Sequence, residues 1–191
     1  AVTSGIDRLG IAGRYLLGGF SFGALVVGYM LAHHHARVRH LLMVGSTALG
    51  PFEGQSERLR RWQSEPDPAR RMAAHRHNLS VLMLHDAALI DDLAVLVQTH
   101  NAERTVVSYT PAALGADLPA QLERHPVPVT GIWGAEDALV RNRFAGPREF
   151  LARLRPPGRF LLVPGAGHWV QYEAPAAANA LMLEALQGAA A

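Results

Sequence analysis

At 191 residues the chain has the length of one domain, and its 49% hydrophobic and 18% charged residues support a packed core and argue against disorder. The net charge of +2 comes without a basic stripe interleaved with aromatics, and no apolar run reaches the length of a membrane span, so nucleic-acid and membrane partners are set aside. The absence of cysteine excludes disulfides and cysteine nucleophiles and fits a reducing, cytoplasmic setting.

The first apolar run bounded by turn residues is Arg14–Leu17, read as a strand. An apolar, Ala-rich stretch from Ser21 to about His35 reads as a helix, and His40–Val44 as a second strand. Residues 47 to 126 show no good strand. They read as several helices broken at Pro66, Pro68 and around His85-Asp86, with helical spacing of Leu79, Leu82 and Met83 and of Leu89, Ile90, Leu93, Leu96 and Val97. An insertion of that size is expected to cover something. Two more short runs follow, Val127–Trp133 and Arg159–Val163, separated by an amphipathic stretch from about Asn142 to Leu154. A last helix is expected over Ala174 to Leu186, with Pro175 in its first turn. Strand and helix in alternation predict an α/β fold, with a parallel sheet buried on both faces.

The chemistry concentrates at Gly19-Phe20-Ser21-Phe22-Gly23, between the first strand and the first long helix. In a turn that sharp, Gly19 and Gly23 remove side chains where strand and helix would collide. Ser21 then projects above the carboxyl edge of the sheet, as in a nucleophile elbow, and the helix N-terminus directs its N–H groups there. The Phe22 N–H is the expected oxyanion donor. The bland alternative is a Gly-rich turn with an idle serine. A serine hydroxyl needs an adjacent base. His168, in the Gly-rich loop "VPGAGHWVQYE" after the last strand, is the candidate base. Asp137, in "GIWGAEDALV" after the strand before it, is the candidate acid, preferred to its neighbour Glu136 by its spacing from the strand. Both follow strand carboxyl ends, where sites form in open α/β sheets. His33-His34-His35 has the composition of a metal site, but consecutive helical residues point in different directions and cannot jointly chelate one ion. The same weakness applies to His75 and His77. No metal and no organic cofactor is expected.

Four segments, "GGFSFGALVVGYMLA", "VRHLLMVGS", "PVTGIWGAED" and "RFLLVPGAGHWVQYEAP", resemble the α/β-hydrolase superfamily over nearly the whole length, and "IDRLGIAGRYLLGG" is similar to the helix and strand leading into its elbow. The resemblance implies a partial α/β-hydrolase fold, a mostly parallel sheet with flanking helices and a helical cap insertion. Residues 1–46 would form the elbow part of the core, 47–126 the cap and 127–191 the rest of the core. It implies a serine hydrolase acting on a small carbonyl substrate through Ser21, His168 and Asp137. Within the superfamily "GHWVQYE" looks most like hydrolases of meta-cleavage products, which cut C–C bonds in ring-fission diketones. That implies a substrate contact for Trp169 on the acyl side of the pocket; Phe20 beside the nucleophile, the other expected substrate contact, is similar to perhydrolases instead. The departures are Phe20 and Phe22, where that subfamily carries Asn and Met, and the cap arginine, whose position falls near Gln98 with Arg104 as a substitute. Esterases and cofactor-free perhydrolases stay open, as does a non-catalytic binding protein of the same fold.

In that superfamily further strands precede the elbow and carry the second oxyanion donor. Here the elbow lies close to Ala1, and no initiator Met or secretory signal is visible. The expectation is a fragment of a longer enzyme. The alternatives are a second chain carrying the missing part, or a homo-oligomer covering the apolar edge of the first strand.

Overall fold

The computed structural model describes residues 2–49, 59–105 and 118–188. In chain order the described elements are α1 (Val2–Arg8), β1 (Tyr15–Phe20), α2 (Phe22–His34), β2 (Val38–Val44), α3 (Pro68–Leu82), α4 (Asp92–Arg104), α5 (Leu118–Arg124), β3 (Val129–Gly134), α6 (Ala145–Arg153), β4 (Arg159–Val163), α7 (Val170–Glu173) and α8 (Pro175–Gly188). The four strands form one parallel sheet in the order β1-β2-β3-β4. This is the α/β architecture expected from the sequence. β4 falls on Arg159–Val163 as expected, and β1 runs on to Phe20, which carries the strand directly into the glycine-flanked turn.

Alternation along the strands separates two cores. Leu41 and Met43 of β2 face one side, with Leu25 and Leu31 of α2, Leu118 and Leu122 of α5, Trp133 of β3 and Phe150 of α6. Leu42 and Val44 face the other, with Ile132, Val163, Val170 and Ala185. A strand buried on both faces needs apolar residues at successive positions, which is why His40–Val44 reads as an unbroken apolar run after its histidine. That histidine is buried too, and its Nε2 lies 2.9 Å from Thr130 Oγ1. β1 lies at the sheet edge, with Leu16 exposed.

Between β2 and β3 the regular elements among the described residues are all helices. Pro68 does not break a helix but opens α3 at its first turn, where its missing N–H costs nothing, and Asp67 caps the helix by accepting from Ala69 N at 2.8 Å. Asp91 caps α4 by accepting from Ala94 N at 2.8 Å. α3, α4 and their connection form a third cluster of Leu79, Leu84, Ile90, Ala94 and Val95, which Trp169 of the core joins. The apolar spacing of α4 is used unevenly: Ala94 and Val95 are buried, while Leu93 and Leu96 are 56% and 64% exposed. α5 packs with α2 in the main core rather than with α3 and α4, and Leu118 sits against Gly28, where a Cβ would meet its methyl group. Among the described residues no helix is long and apolar enough to cross a membrane.

Candidate active site

The register aligns Phe20 with Val44, Val44 with Ile132, and Gly134 with Val163. The segments after β1, β3 and β4 therefore leave the sheet from the same edge. These are the segments that carry Ser21, Asp137 and His168.

Ser21 has φ 51° and ψ −117°, a backbone conformation that non-glycine residues adopt at a cost of about 1–3 kcal/mol. The surroundings hold it there. Its N–H donates to Val44 O at 2.8 Å, and the Ala24 N–H returns to Ser21 O at 3.0 Å to start α2. A Cβ on Gly19 would lie 2.2 Å from Gly23 O, so strand and helix meet as closely as they do only because Gly19 has no side chain.

His168 links the other two residues. Its Nδ1 is 2.8 Å from Asp137 Oδ2, and its Nε2 is 2.8 Å from Ser21 Oγ. Asp137 and His168 are 0% and 1% exposed. A carboxylate only accepts, so Nδ1 carries the proton and donates to Asp137, which leaves Nε2 to accept from the serine hydroxyl. The second oxygen of Asp137 accepts from Leu139 N at 2.9 Å, so both oxygens of the buried carboxylate are bonded. The loops of acid and base are stitched together: Ala135 N donates to Val163 O and Glu136 N to Ala166 O, each at 2.9 Å. Gly134 permits this, since a Cβ there would strike Gly167 O and Ala166 O.

Other sequence candidates fall around this line. The Phe20 ring packs against the His168 imidazole with centroids 5.0 Å apart. Phe22 is the first residue of α2, directly after Ser21. Trp169 is buried among the α3–α4 cluster, with its ring 5.7 Å from that of Tyr172. Gln98 and Arg104 lie on α4. A residue the motifs did not single out is Gly45, just past β2. It has φ +60°, and a Cβ there would come within 3.0 Å of His168 Cε1 and 3.2 Å of Phe20 Cε2. Its signal in the sequence is only a glycine at a strand end. A cavity of about 190 Å³ lies between the end of α3 and the loops that carry Asp137 and His168, lined in part by Leu82, His85, Glu136, Arg141, Gly167 and His168.

The histidine run splits as its helix requires. His34 is buried with Nδ1 2.9 Å from Tyr15 Oη, whereas His35 donates from Nδ1 to Leu31 O at 3.1 Å and lies on the surface. His75 is fully buried on α3, its ring 4.9 Å from that of Trp62 and its Nε2 4.0 Å from Glu103 Oε1. Neither ring nitrogen has a hydrogen-bond partner among the described residues. Burial pushes its pKa below the usual histidine value, partly opposed by Glu103 and reinforced by Arg71. Among the described residues no group of three or more His, Cys, Asp or Glu could hold a metal ion.

A sequence model described as alpha/beta hydrolase family matches residues 2–181. The AB hydrolase superfamily protein YfhM of Bacillus subtilis (strain 168) is 39% identical over 61 residues, which are 32% of this chain and 20% of that protein. Among solved structures, a meta-cleavage product hydrolase from Pseudomonas fluorescens IP01 aligns with TM-score 0.71 at 19% identity, over 98% of this chain and 70% of that one. An esterase from Rhodococcus sp. ECU1013 aligns with TM-score 0.69 at 18% identity, over 100% and 70%. A bromoperoxidase from Bacillus anthracis aligns with TM-score 0.71 at 17% identity, over 97% and 71%. At these identities the structural likeness is one of fold.

Proposed function

The chain belongs to the alpha/beta hydrolase family, and on that premise we propose that it is a serine hydrolase acting on a small carbonyl substrate. The observation that carries this reading is the unbroken line from Asp137 through His168 to Ser21, with both links at 2.8 Å. Ser21 Oγ attacks the carbonyl carbon while His168 Nε2 takes its proton. Asp137 fixes the imidazole in the tautomer that can accept, and stabilises the cation that forms. The Phe22 N–H, at the start of α2, helps to hold the oxyanion. His168 returns the proton to the leaving group. Water then attacks the acyl–serine ester with His168 again as base, and Ser21 is regenerated.

Ester substrates are favoured over ring-fission diketones. The Phe20 ring packs beside His168 with the ring planes tilted by 43°, which supports an apolar wall next to the nucleophile, and the Asn and Met that flank the serine in the C–C hydrolases are absent. Trp169 and Phe20 share the cluster under the cap, which supports a mainly apolar acyl site there.

A fluorophosphonate probe and a panel of p-nitrophenyl acyl esters test the proposal, with one ring-fission dienoate alongside. The expected result is labelling and ester turnover by the wild type, both abolished in Ser21→Ala. Binding of esters with neither labelling nor turnover would instead mark a binding protein of the same fold.

A further inference from the structure

The loop that carries His168 has little to hold it from within. It contains Gly165, at φ +70°, and Gly167. On one side the acid loop grips it through the backbone bonds from Ala135 and Glu136. On the other side its neighbour is the cap, and there one carboxylate bonds to both loops. Glu173 Oε1 accepts from His85 N at 2.7 Å and from Asp86 N at 2.8 Å, both in the connection between α3 and α4. Glu173 Oε2 accepts from Gly167 N, the residue before the base. Trp169 N, the residue after the base, donates to Met83 O at 2.8 Å. Gly167 is the glycine this junction demands. A Cβ there would lie 2.8 Å from Glu173 Oε2, 2.8 Å from His85 N and 3.0 Å from Met83 O. A second tie runs parallel: Tyr172 Oη donates to Asp91 Oδ1 at 2.6 Å, the same oxygen that caps α4. That bond holds Asp91 below and Tyr172 above their ordinary pKa values.

We propose that Glu173 is a positioning residue that latches the cap to the His168 loop, so that seating of the cap and placement of the catalytic imidazole are one motion. A carboxylate can accept from three N–H groups at once, and each such bond is charge-assisted. No neutral side chain reproduces this. In Glu173→Gln one oxygen becomes an NH2 that faces the N–H groups it should receive. When the cap lifts, His85 and Asp86 leave Oε1, and the carboxylate that orders Gly167 loses its own anchor. The cap is then no independent lid. The base is fully placed only beneath a seated cap.

The role of Glu173 in catalysis rests on the serine hydrolase reading, and the test separates the two. In the full chain, amide hydrogen exchange at His85, Asp86 and Gly167 reads the latch, and kcat and KM for a p-nitrophenyl ester, per site titrated with fluorophosphonate, read the base. Counting active sites removes losses that come only from misfolding. In Glu173→Gln the three amides are expected to exchange about tenfold faster or more, and kcat per titrated site to fall by at least a similar factor with KM little changed. Glu173→Asp keeps the charge and should restore part of kcat. Wild-type exchange rates or a wild-type kcat in Glu173→Gln would overturn the proposal. Should Glu173→Gln fail to fold, the wild type still decides. A shared latch requires the three amides to open at one common rate, and three unrelated rates would refute it. If the wild type neither labels nor turns over, the hydrolase reading falls, and the latch stands or falls on the exchange rates.

Discussion

His168 Nε2 lies 2.8 Å from Ser21 Oγ, although 147 residues separate them in the sequence. The contact depends on two strained or crowded turns meeting over one sheet edge. Ser21 is held at positive φ by the close approach of Gly19 to Gly23, and His168 stands in a loop stitched to the acid loop behind it. Both turns are held by backbone bonds to neighbouring strand ends and loops, so the geometry belongs to the assembled sheet.

In the proposed mechanism Asp137 sets the tautomer of His168. In Asp137→Asn the side chain keeps its size, but an amide can donate to Nδ1 and invite the proton onto Nε2. The expected loss in kcat is about 10,000-fold, with little change in melting temperature relative to the other core variants. Steady-state ester hydrolysis measures it, and a loss below tenfold would remove Asp137 from the mechanism.

Gly45 is predicted to matter as much as a side chain. Alanine there meets two obstacles: the positive φ, which costs about 1–2 kcal/mol for a residue with a Cβ, and the His168 ring 3.0 Å away. Gly45→Ala should fold, melt at a lower temperature and turn over esters about tenfold more slowly or worse, because a displaced imidazole no longer meets Ser21. Unchanged kcat would show that the ring has room to spare.

Stability should decline on mild acidification. Burial holds both His75 and His40 below the usual histidine pKa, the latter with help from Arg159. In the unfolded chain both protonate as pH falls through about 6.5, while the folded chain keeps them neutral. The contribution is therefore complete above about 6.5 and is lost as pH falls from there toward the lowered folded values. Urea midpoints at pH 7.5 and 5.5 give the slope. His75→Phe, which keeps a ring against Trp62 but cannot titrate, should flatten it; an identical slope in that variant would assign the effect elsewhere.

The packing of α5 with the core gives a mutational contrast. Leu118 is fully buried against α2, whereas Leu96 on α4 is largely exposed. Leu118→Ala should cost about 2–5 kcal/mol and Leu96→Ala within about 0.5 kcal/mol, as read from denaturant unfolding. Equal costs would mean that α5 contributes no more to the core than the outer face of α4.

The sequence alone determined the parts that depend on local chemistry. Strands buried on two faces are short unbroken apolar runs, as β2 and β3 are, whereas the run Arg159–Val163 coincides with β4 but is only partly buried at the sheet edge. Of the two glycines flanking Ser21, Gly19 is required at the turn, since a Cβ there would strike Gly23 O, whereas Gly23, expected to play the same part, faces open space. What the sequence could not carry is anything set by contact between distant segments. Residues 47–126 read alike as helices, yet α4 packs with α3 and α5 packs in the main core. The same spacing marks Leu93 and Leu96 as apolar-face residues, yet α4 buries Ala94 and Val95. Gly45 is an ordinary letter in an ordinary place, and Glu173 closes the string "GHWVQYE" with no role that the string itself reveals. Gly45 matters only because an imidazole lies against its backbone, and Glu173 only because three N–H groups from two distant loops converge on its carboxylate. Local sterics and hydrophobic pattern are written residue by residue, whereas convergence exists only once the sheet has brought its strand ends to one edge.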